Sequence, residues 1–203
     1  MAAMIPARPR NCPGRVLRVL ALLAALPHPG SATAQQPEID PEKTIRITLG
    51  NTAAQPQETA LVPVYLTPPK SLRVGRVRFA VTFVSANVQF ERVEPGPFAD
   101  PNTTRFSAAV AAEKNESGTE TTTATVEAIG TAEEGLPSGL IAYLALRIRE
   151  TARPAKITLR TSAAEASPAG ATEPWPDVRA FDAQLEVQAP GYSPTVVCFF
   201  FSH

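Results

Sequence analysis

Through most of this chain apolar and polar residues alternate with a period of two. Ile45, Ile47 and Leu49 share one side of the run Thr44–Leu49, and Val62, Val64 and Leu66 share one side of Leu61–Leu66. Val77, Phe79, Val81 and Phe83 repeat the pattern in the next run, and Val88–Val93 follows before Glu94-Pro95-Gly96. Phe106, Ala108, Val110 and Ala112 fall on one side of Arg105–Ala112, and Ala124, Val126 and Ala128 on one side of Thr121–Ile129. The longest run sets Leu140, Ala142, Leu144, Leu146 and Ile148 against Tyr143, Arg147 and Arg149. Lys156–Arg160 is short, and Phe181, Ala183, Leu185 and Val187 alternate with Asp182, Gln184 and Glu186. A two-residue apolar period buries one face of a strand and wets the other, as in antiparallel sheets.

The segments between these runs carry turn chemistry: Pro68-Pro69, Pro95-Gly96-Pro97, Asp100-Pro101-Asn102, Ser117-Gly118 and Pro137-Ser138-Gly139. No stretch carries helical periodicity beyond a turn or two. The pattern predicts an all-β fold, a single β-sandwich of about nine strands. Pro63 lies inside a run and predicts an edge or a bulge there. Thr161–Pro176 is rich in alanine, serine and proline and is expected to form a long loop.

The amino terminus reads as a segment to be removed. Arg8, Arg10, Arg15 and Arg18 precede the apolar run Val19–Leu26, and Ala32-Thr33-Ala34 fits the small-x-small rule for cleavage. That run is too short to span about 30 Å of hydrocarbon, so residues 1–34 are expected to be a secretory signal peptide rather than an anchor. Residues 35–43 then form a polar tether, 44–188 the sandwich, and 189–203 a tail ending in Val196-Val197-Cys198-Phe199-Phe200-Phe201. The product is expected outside the cell or at its surface, with no membrane span after cleavage.

This organisation changes the charge balance. The chain has 19 basic and 19 acidic residues; without the four leader arginines 15 basic residues face 19 acidic, a net charge of about −4. A mildly acidic chain with scattered cations has no electrostatic reason to bind nucleic acid. Cys12 lies in the leader, which leaves Cys198 without an internal disulfide partner. The sandwich must therefore stand on its hydrophobic core.

The order of features resembles the cohesin domain, the jelly-roll sandwich of bacterial cellulosomes. The resemblance is carried by Ile47-Thr48-Leu49-Gly50-Asn51, then Val62-Pro63-Val64, then the aromatic-bearing strand Phe79–Phe83. Val93-Glu94-Pro95-Gly96 and the run Gly139–Ile148 complete it. It covers roughly Thr44 to Gln188, with two departures: Val84-Ser85-Ala86 stands where cohesins usually place Asp-Pro, and Arg76 and Arg78 replace short polar residues. The resemblance implies a jelly-roll, carbohydrate-binding-module-like sandwich that binds a dockerin-like or other extracellular protein and serves polysaccharide breakdown. It also implies that the third, fifth, sixth and eighth of the nine runs share the sheet that receives the partner.

Catalytic chemistry is sparse. His28 lies in the leader and His203 at the chain end, so no Ser/His/Asp or Cys/His arrangement is expected within the fold. Zinc spacings and glycine-rich phosphate loops are missing. Glu133-Glu134 and the pair Glu91 and Glu94 read as solvated surface charge rather than a glycosidase pair. Asp100-Pro101-Asn102 reads as a turn rather than a calcium loop. Asn102-Thr103-Thr104 and Asn115-Glu116-Ser117 fit the glycosylation sequon. The expectation is a chain that is not an enzyme and has no catalytic residues, metal site or cofactor.

Alternation also assigns the outward residues. Arg76, Arg78, Ala80 and Thr82 should face out from the third run, and Tyr143, Ala145, Arg147 and Arg149 from the seventh. If those strands are neighbours, one surface gathers Arg76, Arg78, Arg147 and Arg149 around Ala80, Ala145 and Tyr143, a composition suited to a protein partner. A solvated face with cross-strand pairs, for instance with Glu127, is the plain alternative. A carbohydrate-binding module would instead use Trp175 and Tyr143 as platforms for sugar rings. A structural domain of an envelope or secretion assembly is the third reading.

Overall fold

A computed structural model of the chain describes residues 39–114 and 116–191. Residues 1–38, which hold the expected leader and the first four residues of the expected tether, together with Asn115 and residues 192–203, including Cys198 and His203, lie outside the described residues.

Eleven strands form among the described residues: β1 (Ile45–Leu49), β2 (Thr52–Ala54), β3 (Thr59–Thr67), β4 (Val74–Val84), β5 (Val88–Pro95), β6 (Arg105–Lys114), β7 (Glu120–Ile129), β8 (Gly139–Ile148), β9 (Ala155–Pro168), β10 (Val178–Phe181) and β11 (Ala183–Val187). They make two sheets, one ordered β10-β1-β3-β8-β5 and the other β2-β11-β9-β4-β7-β6. No described residue is helical. The fold is an all-β jelly-roll sandwich.

At two points an extended run passes from one sheet directly to the other. β1 and β10 run parallel in one sheet, and β2 and β11 run parallel in the other. The crossings occur at Gly50-Asn51 and at Asp182, where side chains occupy the backbone donors left free. Asn51 Oδ1 accepts the Gln184 N–H at 2.8 Å, and Asp182 Oδ1 accepts the Thr161 N–H at 2.7 Å.

The core is the apolar phase of the strands. Phe79, Val81, Phe83, Val126, Leu144 and Leu146 are all buried, with Ile45, Ile47, Val62, Val64 and Leu185 around them. Fully burying one such side chain contributes about 1.5–3 kcal/mol, so this interior is the principal source of stability.

Four details depart from the sequence expectation. Phe181 is only half-buried: Ala180 packs on the core, the chain crosses at Asp182, and the apolar phase resumes at Ala183. The predicted loop from Thr161 is strand as far as Pro168, paired with β4. Three steps on β9, Ser162 to Glu165, oppose two on β4, Ala80 to Arg78, with Ala163 at a positive φ of 47°. That bulge breaks the period by which a strand is read. β2 is three residues long, too short to show a period. Pro63 lies in an interior strand rather than at an edge, with the pairing irregularity one residue later, between Val64 and Tyr65. Its carbonyl accepts the Gly50 N–H at 2.8 Å just past the end of β1, so the donor that proline lacks falls where that strand has ended.

Candidate functional site

The expected arginine surface is divided between the two sheets. β4, which carries Arg76, Arg78 and Ala80, belongs to the six-stranded sheet. β8, which carries Tyr143, Ala145 and Arg147, belongs to the five-stranded one, with Arg149 just beyond its end. The two strands are not neighbours, so the outward residues of one and of the other lie on opposite surfaces of the sandwich. Alternation fixes whether a residue points in or out; it does not say which sheet its strand joins.

Ala80 and Ala145 are correct in phase but are not exposed. Ala80 is 7% exposed and Ala145 is fully covered, because longer neighbours close over an alanine in the middle of a sheet. Arg147 lies beside Thr59 on the five-stranded face, and Arg149 Nε donates to the Ser85 carbonyl at 3.2 Å. Tyr143 is half-buried between Pro63 and Glu94. Trp175, the other proposed sugar platform, is half-buried against the core. Its indole N–H donates to the Lys43 carbonyl at 2.6 Å. Its contacts, with Lys43, Ala166 and the core, involve none of the residues beside Tyr143.

The outer face of the six-stranded sheet is the more developed surface. β4 runs through it, flanked by β9 and β7. Thr82 and Thr123 share a hydroxyl hydrogen bond at 2.9 Å across β4 and β7. Arg76 Nε donates to Glu127 Oε1 at 2.6 Å, the cross-strand pairing anticipated for a solvated face. Arg78 is exposed, sits opposite Glu127 on one side and Glu165 on the other, and makes no ion pair among the described residues. Five guanidinium donors therefore stand open at the middle of the face.

Two concavities lie along β4. One, of about 260 Å³, is lined by Arg76, Arg78, Glu165, Ser167, Thr172 and Pro174. The other, of about 560 Å³ at the far end of the strand, is lined by Thr82, Val84, Asn87, Thr121, Lys156 and Arg160 among others. Both are shallow and polar-rimmed. Glu165, Ser167 and Thr172 were not legible as site residues, since they lie in the stretch whose bulge hides its strand.

Of the two carboxylate pairs, Glu91 and Glu94 are engaged locally, while Glu133 and Glu134 are exposed and take part in hydrogen bonds through their backbone. Arg92 pairs with both Glu91 and Glu94. Asp100 Oδ1 accepts the Asn102 backbone N–H at 2.8 Å, closing its own turn. Among the described residues no group of three or more His, Cys, Asp or Glu is placed to hold a metal ion. No helix among the described residues is long and apolar enough to cross a membrane.

Two sheets packed as a sandwich, entered through Gly50-Asn51 and closed by β10 and β11, have counterparts among solved structures. The cohesin in the Coh-OlpA–Doc918 type I cohesin–dockerin complex from Clostridium thermocellum matches with a TM-score of 0.55 and 15% identity, over 71% of this chain and 99% of that one. The chain has a cohesin-like fold. The sixth cohesin of scaffoldin B from Acetivibrio cellulolyticus, solved with a Cel5 dockerin mutant, matches at 0.53 with 13% identity, over 71% and 99%. The seventh ScaB type I cohesin from Pseudobacteroides cellulosolvens matches at 0.51 with 14% identity, over 78% and 98%. Neither a family model nor a curated protein matches the chain. In this cohesin-like sandwich β4, β6, β7 and β9 occupy one sheet, the grouping that the resemblance implied for the third, fifth, sixth and eighth runs.

Proposed function

We propose that this chain is a non-catalytic binding module, secreted or surface-displayed, that takes a protein partner on the outer face of its six-stranded sheet. The observation that carries the proposal is Arg78, exposed at the middle of that face with its guanidinium unpaired among the described residues. Around it lie threonines, the Arg76–Glu127 pair and two shallow concavities, the composition of a recognition surface rather than a small-molecule pocket. The solved neighbours include cohesins in complex with dockerins, which favours a dockerin-like occupant over an unrelated one. The carbohydrate reading is less favoured, because Trp175 is anchored through Lys43 and is not placed beside Tyr143.

The division of the arginines between two surfaces supplies the test. Partners captured from the native secretome are measured against wild type, Arg76→Glu/Arg78→Glu and Arg147→Glu/Arg149→Glu. The first double variant should lose about thirtyfold in affinity, the effect of removing an interface arginine worth ~2 kcal/mol. The second should bind as wild type does. Equal binding by all three would refute the assignment, and retention of the chain on insoluble polysaccharide would favour the sugar-binding alternative.

Export belongs to the same proposal. Residues 1–34 would be removed after Ala34, so mass spectrometry of the secreted chain should find Gln35 at its amino terminus. A secreted product that retains Arg8–Arg18 would contradict this.

A further inference from the structure

The two sheets leave four strand edges, and three of them are blunted. β2 has three residues and β10 four. β5 carries Glu91, Arg92, Glu94 and Pro95, and its pairing breaks between Phe90 and Arg92. Short length, charge, proline and bulges are the devices that keep an edge from pairing with another chain. β6 has none of them along its middle. It is ten residues long and pairs with β7 in unbroken register from Arg105 to Lys114. Between Phe106 and Ala112 it reads Phe-Ser-Ala-Ala-Val-Ala-Ala, without a charge, a glycine or a proline.

This strand also overhangs the core. Phe106 is half-buried, and every other residue of β6 is exposed. Ala108, Val110 and Ala112 lie opposite Val126, Ala124 and Thr122 and therefore point to the core side, yet Val110 remains 53% exposed. The five-stranded sheet ends at β5, and all three residues remain exposed.

We propose that β6 pairs with β6 of a second copy of this chain, antiparallel and about a two-fold axis at Ala109. The charges at its ends argue for this occupant. With Ala109 opposite Ala109, Arg105 of each copy stands opposite Glu113 of the other, on the outer surface, twice by symmetry. Neither the Arg105 guanidinium nor the Glu113 carboxylate has a partner among the described residues. In the same register Ser107 meets Ala111 on the outer side, while Phe106 meets Ala112 and Ala108 meets Val110 on the core side. Small residues thus fill the middle, and the exposed Val110 gains an apolar neighbour. The product is a continuous twelve-stranded sheet that sets two copies of the outer face side by side. A two-fold interface of this kind is self-complementary by construction.

The test is the oligomeric state of the full chain by sedimentation, with circular dichroism to report the fold. It needs no binding partner, so its outcome is separate from that of the proposed function. Wild type should dimerise. Arg105→Glu and Glu113→Arg should each weaken the dimer about tenfold at low salt, since each replaces two attractive pairs by two repulsive ones. Mixing the two variants should restore dimers, because each then meets the opposite charge. Wild type that stays monomeric to about 1 mM, a dimer indifferent to both single changes, or a mixture no tighter than either variant alone would each overturn the proposal.

Discussion

The Thr44 hydroxyl donates to Asp177 Oδ2 at 2.5 Å, joining residues 133 positions apart at the mouth of the parallel pair β1 and β10. Arg179 Nε donates to the other carboxylate oxygen at 3.1 Å, and the Asp177 carbonyl accepts the Ile45 N–H at 3.0 Å. The Thr44 hydrogen bond foremost, then that of Arg179, holds the Asp177 carboxyl below its ordinary value. A carboxyl depressed in the folded state contributes stability above its unfolded value and loses it as pH falls through the folded one. Asp177→Asn should therefore flatten the loss of thermal stability between about pH 5 and pH 2. Some slope should persist, because Asp40 is lowered as well, by the Glu42 N–H and then by Lys43. An unchanged acid limb in Asp177→Asn would show that the clasp carries no such linkage.

Phe79 on β4 and Leu144 on β8, each 1% exposed, belong to the one core between the two sheets. Leu144→Ala should cost about 2–5 kcal/mol and Phe79→Ala about 3–5 kcal/mol, the loss of burial together with the cavity left behind. Arg78→Ala, one residue from Phe79 but pointing to solvent, should change stability by less than about 0.5 kcal/mol. Denaturant unfolding of the three variants checks this contrast. Similar costs for Phe79→Ala and Arg78→Ala would mean that the inward and outward phases of β4 are misassigned.

Strict alternation made the fold legible where it was unbroken. Val77–Phe83 and Leu140–Ile148 read directly as strands, and the burial of Phe79, Val81, Leu144 and Leu146 follows from the same period. The period fails wherever the backbone changes its own repeat. Ala163 inserts an extra residue into β9, so the strand that brings Glu165 beside Arg78 read as loop. Asp182 carries the chain from one sheet to the other, so Phe181 was assigned to a core phase that begins at Ala183. The candidate face suffered for a different reason. Arg76 and Arg147 are both outward by phase, but sheet membership depends on long-range pairing, β4 with β7 and β9, β8 with β3 and β5. Nothing in the local sequence of either strand encodes that choice.

Two glycines, one in the turn before β8 and one at its first residue, separate two kinds of backbone requirement. Gly135 has φ of +74°, and a Cβ there would lie 2.7 Å from the Val74 carbonyl oxygen, which already accepts the Leu136 N–H at 2.6 Å. Gly139 has φ of +94° with nothing within 4 Å of a Cβ. Gly139→Ala should cost only the conformational penalty, about 1–2 kcal/mol. Gly135→Ala should cost more than that, because β4 or the turn must also move. Unfolding curves that rank the two in the opposite order would argue against this placement of the turn.

Trp175 is the chain's single tryptophan, so its fluorescence reports one environment. The ring packs partly against the core, its N–H donates to the Lys43 carbonyl, and its backbone N–H donates to the Ala166 carbonyl at 2.6 Å. These contacts tie the segment after β9 to the entrance of β1. Trp175→Phe keeps much of the apolar ring but leaves the Lys43 carbonyl without its donor, a loss of about 1 kcal/mol. Emission from the native chain should be blue-shifted relative to the unfolded chain and only partly quenched by acrylamide. Adding soluble polysaccharide should leave it unchanged, because the ring is held by its N–H and packed in part against the core. A saturable shift on polysaccharide addition, abolished in Trp175→Phe, would overturn the structural role and transfer Trp175 to a sugar-binding surface.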